Sequence, residues 1–293
     1  MKFHRAYIEI TNVCGLACSF CPPKDQPTQT MSLSFFESVL VELQEYTRDI
    51  ALHVMGDPMI LSNLDDYLDV AHDRGFSVMI TTSGFYLDER RRAMVFHPCV
   101  KQVNISLNSF NKNSVSRSFE AYMENVLALC DEKLHQPREF FINLRLWNLD
   151  EECSEEAFNE QLFALLEKHF GLISGFIRAS LSGNRQSIRV ASKILIHFDR
   201  YFQWPNLNNE VVGDGYCHGL SKQIAILADG RVVPCCLDGE GVIELGNLHV
   251  TNLGKILTSK RADTILAGFK SGHAVEELCQ KCSYKERFEK GVL

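Results

Sequence analysis

Apolar positions follow two different periods along the first two thirds of the chain. Short runs, often β-branched, stand at Tyr7–Ile10, Ile50–Val54, Val78–Thr82, Val103–Leu107, Phe140–Leu146 and Ile194–His197, as expected of parallel strands buried on both faces. Between them the period is helical: Phe36, Val39, Leu40 and Leu43; Leu64, Tyr67, Leu68 and Ala71; Phe119, Tyr122, Met123, Val126 and Leu127; Phe158, Leu162, Leu165 and Leu166. Ser34 with Glu37 predicts a capping box at the first helix. Strands alternating with helices predict an α/β fold around a curved or barrel-like (β/α)6 parallel sheet.

The pattern breaks after Trp204-Pro205, and the Asn- and Gly-rich segment Asn206–Gly215 reads as a linker. The chain therefore divides into a core, residues 1–205, and a tail, residues 206–293. In the tail, Gln223–Leu227 and Arg231–Val233 flank Asp229-Gly230, a strong hairpin signal. A cysteine-rich α+β module of this size is too short for a large core and commonly needs a metal staple.

Composition narrows the chemistry. The 293 residues are 45% hydrophobic and 23% charged, which suits a chain with a sizeable core and excludes a disordered or fibrous one. No run of about 18 apolar residues exists, so no membrane span is expected. Met1–Ile10 reads as a strand rather than a signal peptide, which implies a cytoplasmic protein. A formal charge of −7 gives no sign of a nucleic-acid surface. Without a secretion signal, 11 cysteines point to metal or redox use rather than a disulfide framework.

Cys14, Cys18 and Cys21 follow the first strand with the spacing C-x3-C-x2-C. Three thiolates on one loop can hold three irons of a cubane and leave the fourth open, whereas a closed zinc site wants four protein ligands. Small residues, Gly15 and Ala17, let backbone pass close to a cluster. In the tail, Cys217, Cys235, Cys279 and Cys282 form two pairs, the last a C-x2-C knuckle, and zinc and [4Fe–4S] both fit such a set. Cys236, adjacent to Cys235, should point the other way on an extended strand. Cys99, Cys130 and Cys153 read as structural.

The loop at Cys14, Cys18 and Cys21, with Phe20 before the third cysteine, resembles that of the radical S-adenosylmethionine (SAM) superfamily, and the resemblance covers nearly the whole chain. It implies a partial (β/α)6 TIM-like barrel in which the open iron chelates the methionine end of SAM. It also implies cleavage of SAM to a 5′-deoxyadenosyl radical that takes a hydrogen atom from substrate. Met55-Gly56-Asp57-Pro58 is similar to the family's Gly-Gly-Glu-Pro motif, which binds the methionine amine through backbone, though Met55 and Asp57 depart from it. Thr82 and Ser83, before Gly84, stand where the family has Thr-Asn-Gly. Ser106 and Asn108 end the fourth strand where a ribose contact is common, and Arg145 could pair with the SAM carboxylate or with substrate. The tail resembles SPASM/twitch modules, which hold auxiliary clusters; its five cysteines match the shorter, one-cluster arrangement, and Gly246-Asn247 fits the pattern.

The reading that follows is a radical SAM oxidoreductase with two [4Fe–4S] clusters that dehydrogenates a small molecule, reduced by a donor such as flavodoxin or ferredoxin. Two alternatives stand beside it: a maturase of ribosomal peptides, and a non-catalytic cluster- or zinc-binding sensor. Cys14 opens the loop so early that an N-terminal leader-recognition domain is not expected, which disfavours the peptide reading. Intact Cys14, Cys18 and Cys21 disfavour the sensor.

Overall fold

A computed structural model describes residues 2–23, 25–147, 155–182 and 185–288. Its strands are β1 (Arg5–Ile8), β2 (Asp49–Leu52), β3 (Ser77–Thr82), β4 (Val100–Ser106), β5 (Phe141–Trp147), β6 (Ser187–Ala191), β7 (Ile194–Asp199), β8 (Gln223–Ile226), β9 (Arg231–Val233) and β10 (Gly246–Asn247). Its helices are α1 (Leu33–Leu43), α2 (Leu64–Asp73), α3 (Glu89–Val95), α4 (Asn108–Asn111), α5 (Phe119–His135), α6 (Glu156–His169), α7 (Phe176–Ser182), α8 (Leu253–Leu257), α9 (Lys260–Ser271) and α10 (Glu277–Gln280). These elements form two compact units. The first holds residues 1–15, 20–80 and 202–293, the second residues 16–19 and 81–201.

In the first unit β8, β1, β2 and β3 lie side by side in that order, all parallel, and β9 and β10 continue antiparallel beyond β8. The hairpin read at Asp229-Gly230 is present: Ala225 faces Val233, Ile226 faces Val232, and Gly230 turns the chain at φ 85°. Its first strand is not isolated in the tail. Ile8 faces Leu52 on one side and Ile226 on the other, so β1 is a central strand flanked by β2 and β8. The tail also packs on α1: Leu253 N donates to Glu42 Oε2 at 2.9 Å, and Phe35 stacks on His249 with centroids 3.8 Å apart.

The second unit orders its strands β4, β5, β7, β6. The first three are parallel, while β6 runs antiparallel on the edge with a register shift at Arg189/Ala191. The polar and basic residues in β6 hid this strand from the periodicity, as suits a half-exposed edge.

The helical stripes are buried much as the spacing predicts, with one exchange: on α6 Phe163 is buried and Leu165 only half so. The capping box is a correction. Ser32, not Ser34, caps α1, its side chain accepting from Phe35 N; the third helical position is then Phe35, and Glu37 pairs instead with Arg74 at 2.5 Å. Most of the acidic run near Glu151, with Cys153, lies outside the described residues. Among the described residues no helix is long and apolar enough to cross a membrane.

Candidate functional site

The loop that leaves β1 is closed at its base before it reaches the cysteines. Asn12 Nδ2 donates to Pro27 O at 2.8 Å, Gln29 N donates to Asn12 Oδ1 at 2.7 Å, and Met31 N donates to Ile10 O at 2.8 Å. Within the first unit Cys14 is half-buried, Cys21 exposed and Phe20 half-buried. In the second unit Cys18 is buried, its Sγ 4.0 Å from Ser109 O in α4.

The Met55–Pro58 turn follows β2 and is pressed against the same loop. A Cβ on Gly56 would lie 1.9 Å from Thr11 O, so only glycine fits there. Asp57 N donates to Val13 O at 3.0 Å, and Asp57 Oδ1 accepts from Met59 N at 3.0 Å, capping the short helix Pro58–Ile60. Asp57 is buried, while Met55 and Gly56 are half-buried.

In the second unit Thr82 and Ser83 are buried and shape the turn after β3. Thr82 Oγ1 accepts from Gly84 N at 3.1 Å, Ser83 Oγ accepts from Phe85 N at 3.3 Å, and Tyr122 OH donates to Ser83 O at 2.7 Å. Asn108 is buried at the start of α4, and Ser106, half-buried, ends β4 opposite Arg145 of β5. Arg145 in turn faces His197 of β7. Burial, with the Arg145 charge adding to it, holds the His197 imidazole below its ordinary pKa. A polar ladder continues this face: Asn143 Nδ2 donates to Asn104 Oδ1 at 3.0 Å, and Asn104 Nδ2 to Thr81 Oγ1 at 3.3 Å. Sequence reasoning singled out only Ser106 and Arg145 from it, although alternate polar positions in β4 and β5 carried the signal.

The four tail cysteines come together. Cys217, Cys235, Cys279 and Cys282 line one pocket of about 540 Å³, part of it open to solvent, whose other walls include Pro234, Leu237, Ile243, Phe269 and Leu278. Burial pushes the Cys217 thiol up to about 11, and burial together with the neighbouring thiols pushes Cys235 and Cys279 up further. Four thiols in an apolar pocket hold their protons until a cationic core is bound among them, so the donor set fits an iron–sulfur cluster. Among the described residues no three His, Cys, Asp or Glu side chains are gathered for a single metal ion.

Two residues that the sequence reading passed over build this pocket. Lys285, 3% exposed, donates from Nζ to the carbonyls of Cys279 at 2.9 Å, Gln280 at 3.3 Å and Cys282 at 2.8 Å, fastening the knuckle. Asp238 accepts from Val242 N and Ile243 N at 2.8 and 2.7 Å, folding the loop that follows Cys235. Cys236 is not among the pocket walls; with Tyr7 and Met55 it packs on Val54, Ala225, Leu227 and Val233. Cys99 and Cys130 are buried elsewhere, and burial raises the Cys130 thiol far above its ordinary value.

Comparison with known proteins agrees with this layout. Residues 8–151 match the radical SAM superfamily, and residues 217–283 match SPASM, an iron–sulfur cluster-binding domain. A protein of Methanocaldococcus jannaschii named as a candidate glycyl-radical enzyme activating enzyme is 26% identical over 105 residues; the match spans 36% of this chain and 40% of that relative's length. Among solved structures, BtrN in complex with AdoMet and 2-DOIA has a TM-score of 0.61 at 15% identity, covering 97% of this chain and 94% of that one. Streptococcus suis SuiB bound to S-adenosylmethionine has a TM-score of 0.62 at 12% identity, covering 97% and 74%. anSMEcpe with bound AdoMet has a TM-score of 0.58 at 16% identity, covering 96% and 86%. At these identities the likeness concerns the fold, a partial (β/α)6 barrel with an unclosed sheet. The two matched domains imply SAM, a [4Fe–4S] cluster and further iron–sulfur chemistry, and they make this chain a radical SAM protein with a C-terminal SPASM domain.

Proposed function

We propose that the protein is a radical SAM oxidoreductase that dehydrogenates a small-molecule substrate. The observation that carries this reading beyond the family is the four-thiol pocket on the hairpin whose first strand pairs with β1. When bound, the two clusters and SAM supply a 5′-deoxyadenosyl radical for hydrogen abstraction and an acceptor for the second electron.

The chain's own residues have defined tasks in this reading. Cys14, Cys18 and Cys21 hold the SAM-binding cluster, with Phe20 beside them. Met55, Gly56, Asp57 and Pro58 present backbone to the methionine end of SAM, and the contact with Thr11 keeps that turn from drifting. Thr82, Ser83, Ser106 and Asn108 line the nucleoside side. Arg145 supplies a fixed cation for a carboxylate of SAM or of the substrate. Cys217, Cys235, Cys279 and Cys282 hold the auxiliary cluster; Lys285 fixes two of them and Asp238 the loop of a third. An external reductant such as flavodoxin or ferredoxin starts the cycle.

Anaerobic incubation of the reconstituted protein with SAM and dithionite should yield 5′-deoxyadenosine and methionine. Absence of both would leave a cluster-binding sensor. Deuterium carried from a peptide into 5′-deoxyadenosine, and from no polyol or amino sugar, would replace the small-molecule reading with the peptide one.

A further inference from the structure

Among the described residues, the buried carboxylates Glu9, Glu167 and Asp238 each accept from two backbone amides, and they differ in what they join. Glu167 of α6 accepts from Gly175 N and Ile177 N, both at 2.8 Å, within one helix-to-helix loop. Asp238 accepts from Val242 N and Ile243 N, within one turn. Glu9 is the exception. Its Oε1 accepts from Met55 N at 2.9 Å and its Oε2 from Ala228 N at 3.2 Å, although these amides lie 46 and 219 residues away in sequence.

The placement explains the reach. Glu9 follows directly on β1, and its two partners sit just past the ends of β2 and β8, the strands that flank β1. Glu9 N also donates to Ile226 O at 2.9 Å, which continues the β1–β8 ladder and sets the side chain between the two turns. The side chain is 4% exposed, so its two oxygens would be costly to leave without donors. One of the clasped turns is Met55–Pro58; the other opens the hairpin that runs to Cys235.

We propose that Glu9 is a positioning residue for SAM: it holds the Met55 amide so that the backbone of Met55 and Gly56 keeps its orientation, and it ties that turn to the auxiliary hairpin through Ala228. The proposal rests on the reading of Met55–Pro58 as the methionine-binding turn. Glutamine keeps the shape of Glu9 but has one carbonyl oxygen for two amides, so one of the two turns loses its acceptor.

The test compares reconstituted wild type, Glu9→Gln and Glu167→Gln, the last removing a buried carboxylate of the same kind from a loop with no assigned ligand. Equilibrium dialysis with labelled SAM should show about tenfold weaker binding in Glu9→Gln, the scale of losses when a ligand-orienting group is removed, with Glu167→Gln close to wild type at equal iron content. In the reconstituted proteins without SAM, amide exchange at Met55 and Ala228 should be faster in Glu9→Gln only. Equal SAM affinity in Glu9→Gln and wild type, or an equal loss in both variants, would overturn the proposal. Wild-type exchange gives a second measurement that does not depend on a variant folding: SAM should slow Met55 and Ala228 together, and protection of Met55 with Ala228 unchanged would refute the tie. No SAM binding by wild type would defeat the reading of the turn itself, a result distinct from any of these.

Discussion

Gly56→Ala should damage this protein more than its single methyl group suggests. The new Cβ would stand 1.9 Å from Thr11 O, 2.7 Å from Thr11 C and 3.0 Å from Asn12 C. All three atoms are backbone, so no side chain can rotate away. Reaching even 3.0 Å from Thr11 O requires the turn and the loop to part by about 1 Å. That movement breaks the bond from Asp57 N to Val13 O, 3.0 Å long in the native chain. Overpacking of this kind costs about 1–3 kcal/mol, with rigid backbone at the upper end, and the lost hydrogen bond about 1 kcal/mol more. A total near 4 kcal/mol, against an unfolding entropy of about 0.6 kcal/mol/K for 293 residues, corresponds to a fall in melting temperature of about 6 °C. Gly171→Ala is the control: Gly171 also resists substitution by its φ of 64°, but nothing lies within 4 Å of its Cβ position. It should cost about 1–2 kcal/mol. Calorimetry of the iron-free proteins reads both. A Gly56→Ala protein that melts no lower than Gly171→Ala would refute the packing argument, and unchanged SAM affinity would remove the turn from the SAM site.

Anaerobically reconstituted protein should hold about eight irons, for two four-iron clusters; about four irons with one zinc would make the tail a zinc module. Replacing Cys14, Cys18 or Cys21 by Ala should abolish 5′-deoxyadenosine formation while the auxiliary spectrum persists, and continued formation in any of the three would sink the ligand assignment. Lys285→Met should loosen the knuckle by leaving three carbonyls without their donor, so chelators should strip auxiliary iron several-fold faster than from wild type, and unchanged stripping would refute the clasp. His197 should make stability fall with acid: burial holds its folded pKa below the ordinary value of 6.5, so the unfolded chain binds the proton first as pH drops, and stability is full above about 6.5 and lost toward the folded pKa. His197→Gln should flatten the melting curve against pH over that window.

What the sequence revealed follows physical periodicity. The stripes on α1, α2 and α5 were readable because their apolar residues alternate with polar ones at helical spacing. The tail cysteines stood out because thiols at fixed spacing have few other uses, and the structure gathers Cys217, Cys235, Cys279 and Cys282 at one pocket. Lys285 and Glu9 did not stand out. Each is one charged residue among many, and its meaning lies in backbone atoms it meets only after folding, the carbonyls of Cys279 to Cys282 or the amides of Met55 and Ala228. Ser32 was missed for a smaller reason: Ser32 and Ser34 both precede the stripe, and only the backbone shows that Ser32 is extended while Ser34 is already helical.

The adjacent cysteines show how strand pairing, more than spacing, governs the auxiliary site. β9 ends at Val233, and Pro234 withdraws a donor from the chain just before Cys235. Both cysteines lie past the strand end, in a turn that Asp238 N closes on Cys235 O at 3.3 Å, and there the two side chains part: Cys235 lines the pocket with three other thiols, while Cys236 lies with Tyr7 and Met55 against Val54, Ala225, Leu227 and Val233. That apolar group draws on β2's exit, β8 and β9, three segments that meet because β8 has joined β1. A Cβ on Gly239 would strike Met55 Sδ at 2.7 Å, so the loop after Cys235 lies directly against the residue that opens the Met55–Pro58 turn. Were the tail a free module on a linker, no such contact would exist, and loss of the auxiliary ligands would leave the Met55 turn untouched. Because the hairpin is part of the sheet, Cys235→Ser should raise amide exchange at Met55 as well as in the tail.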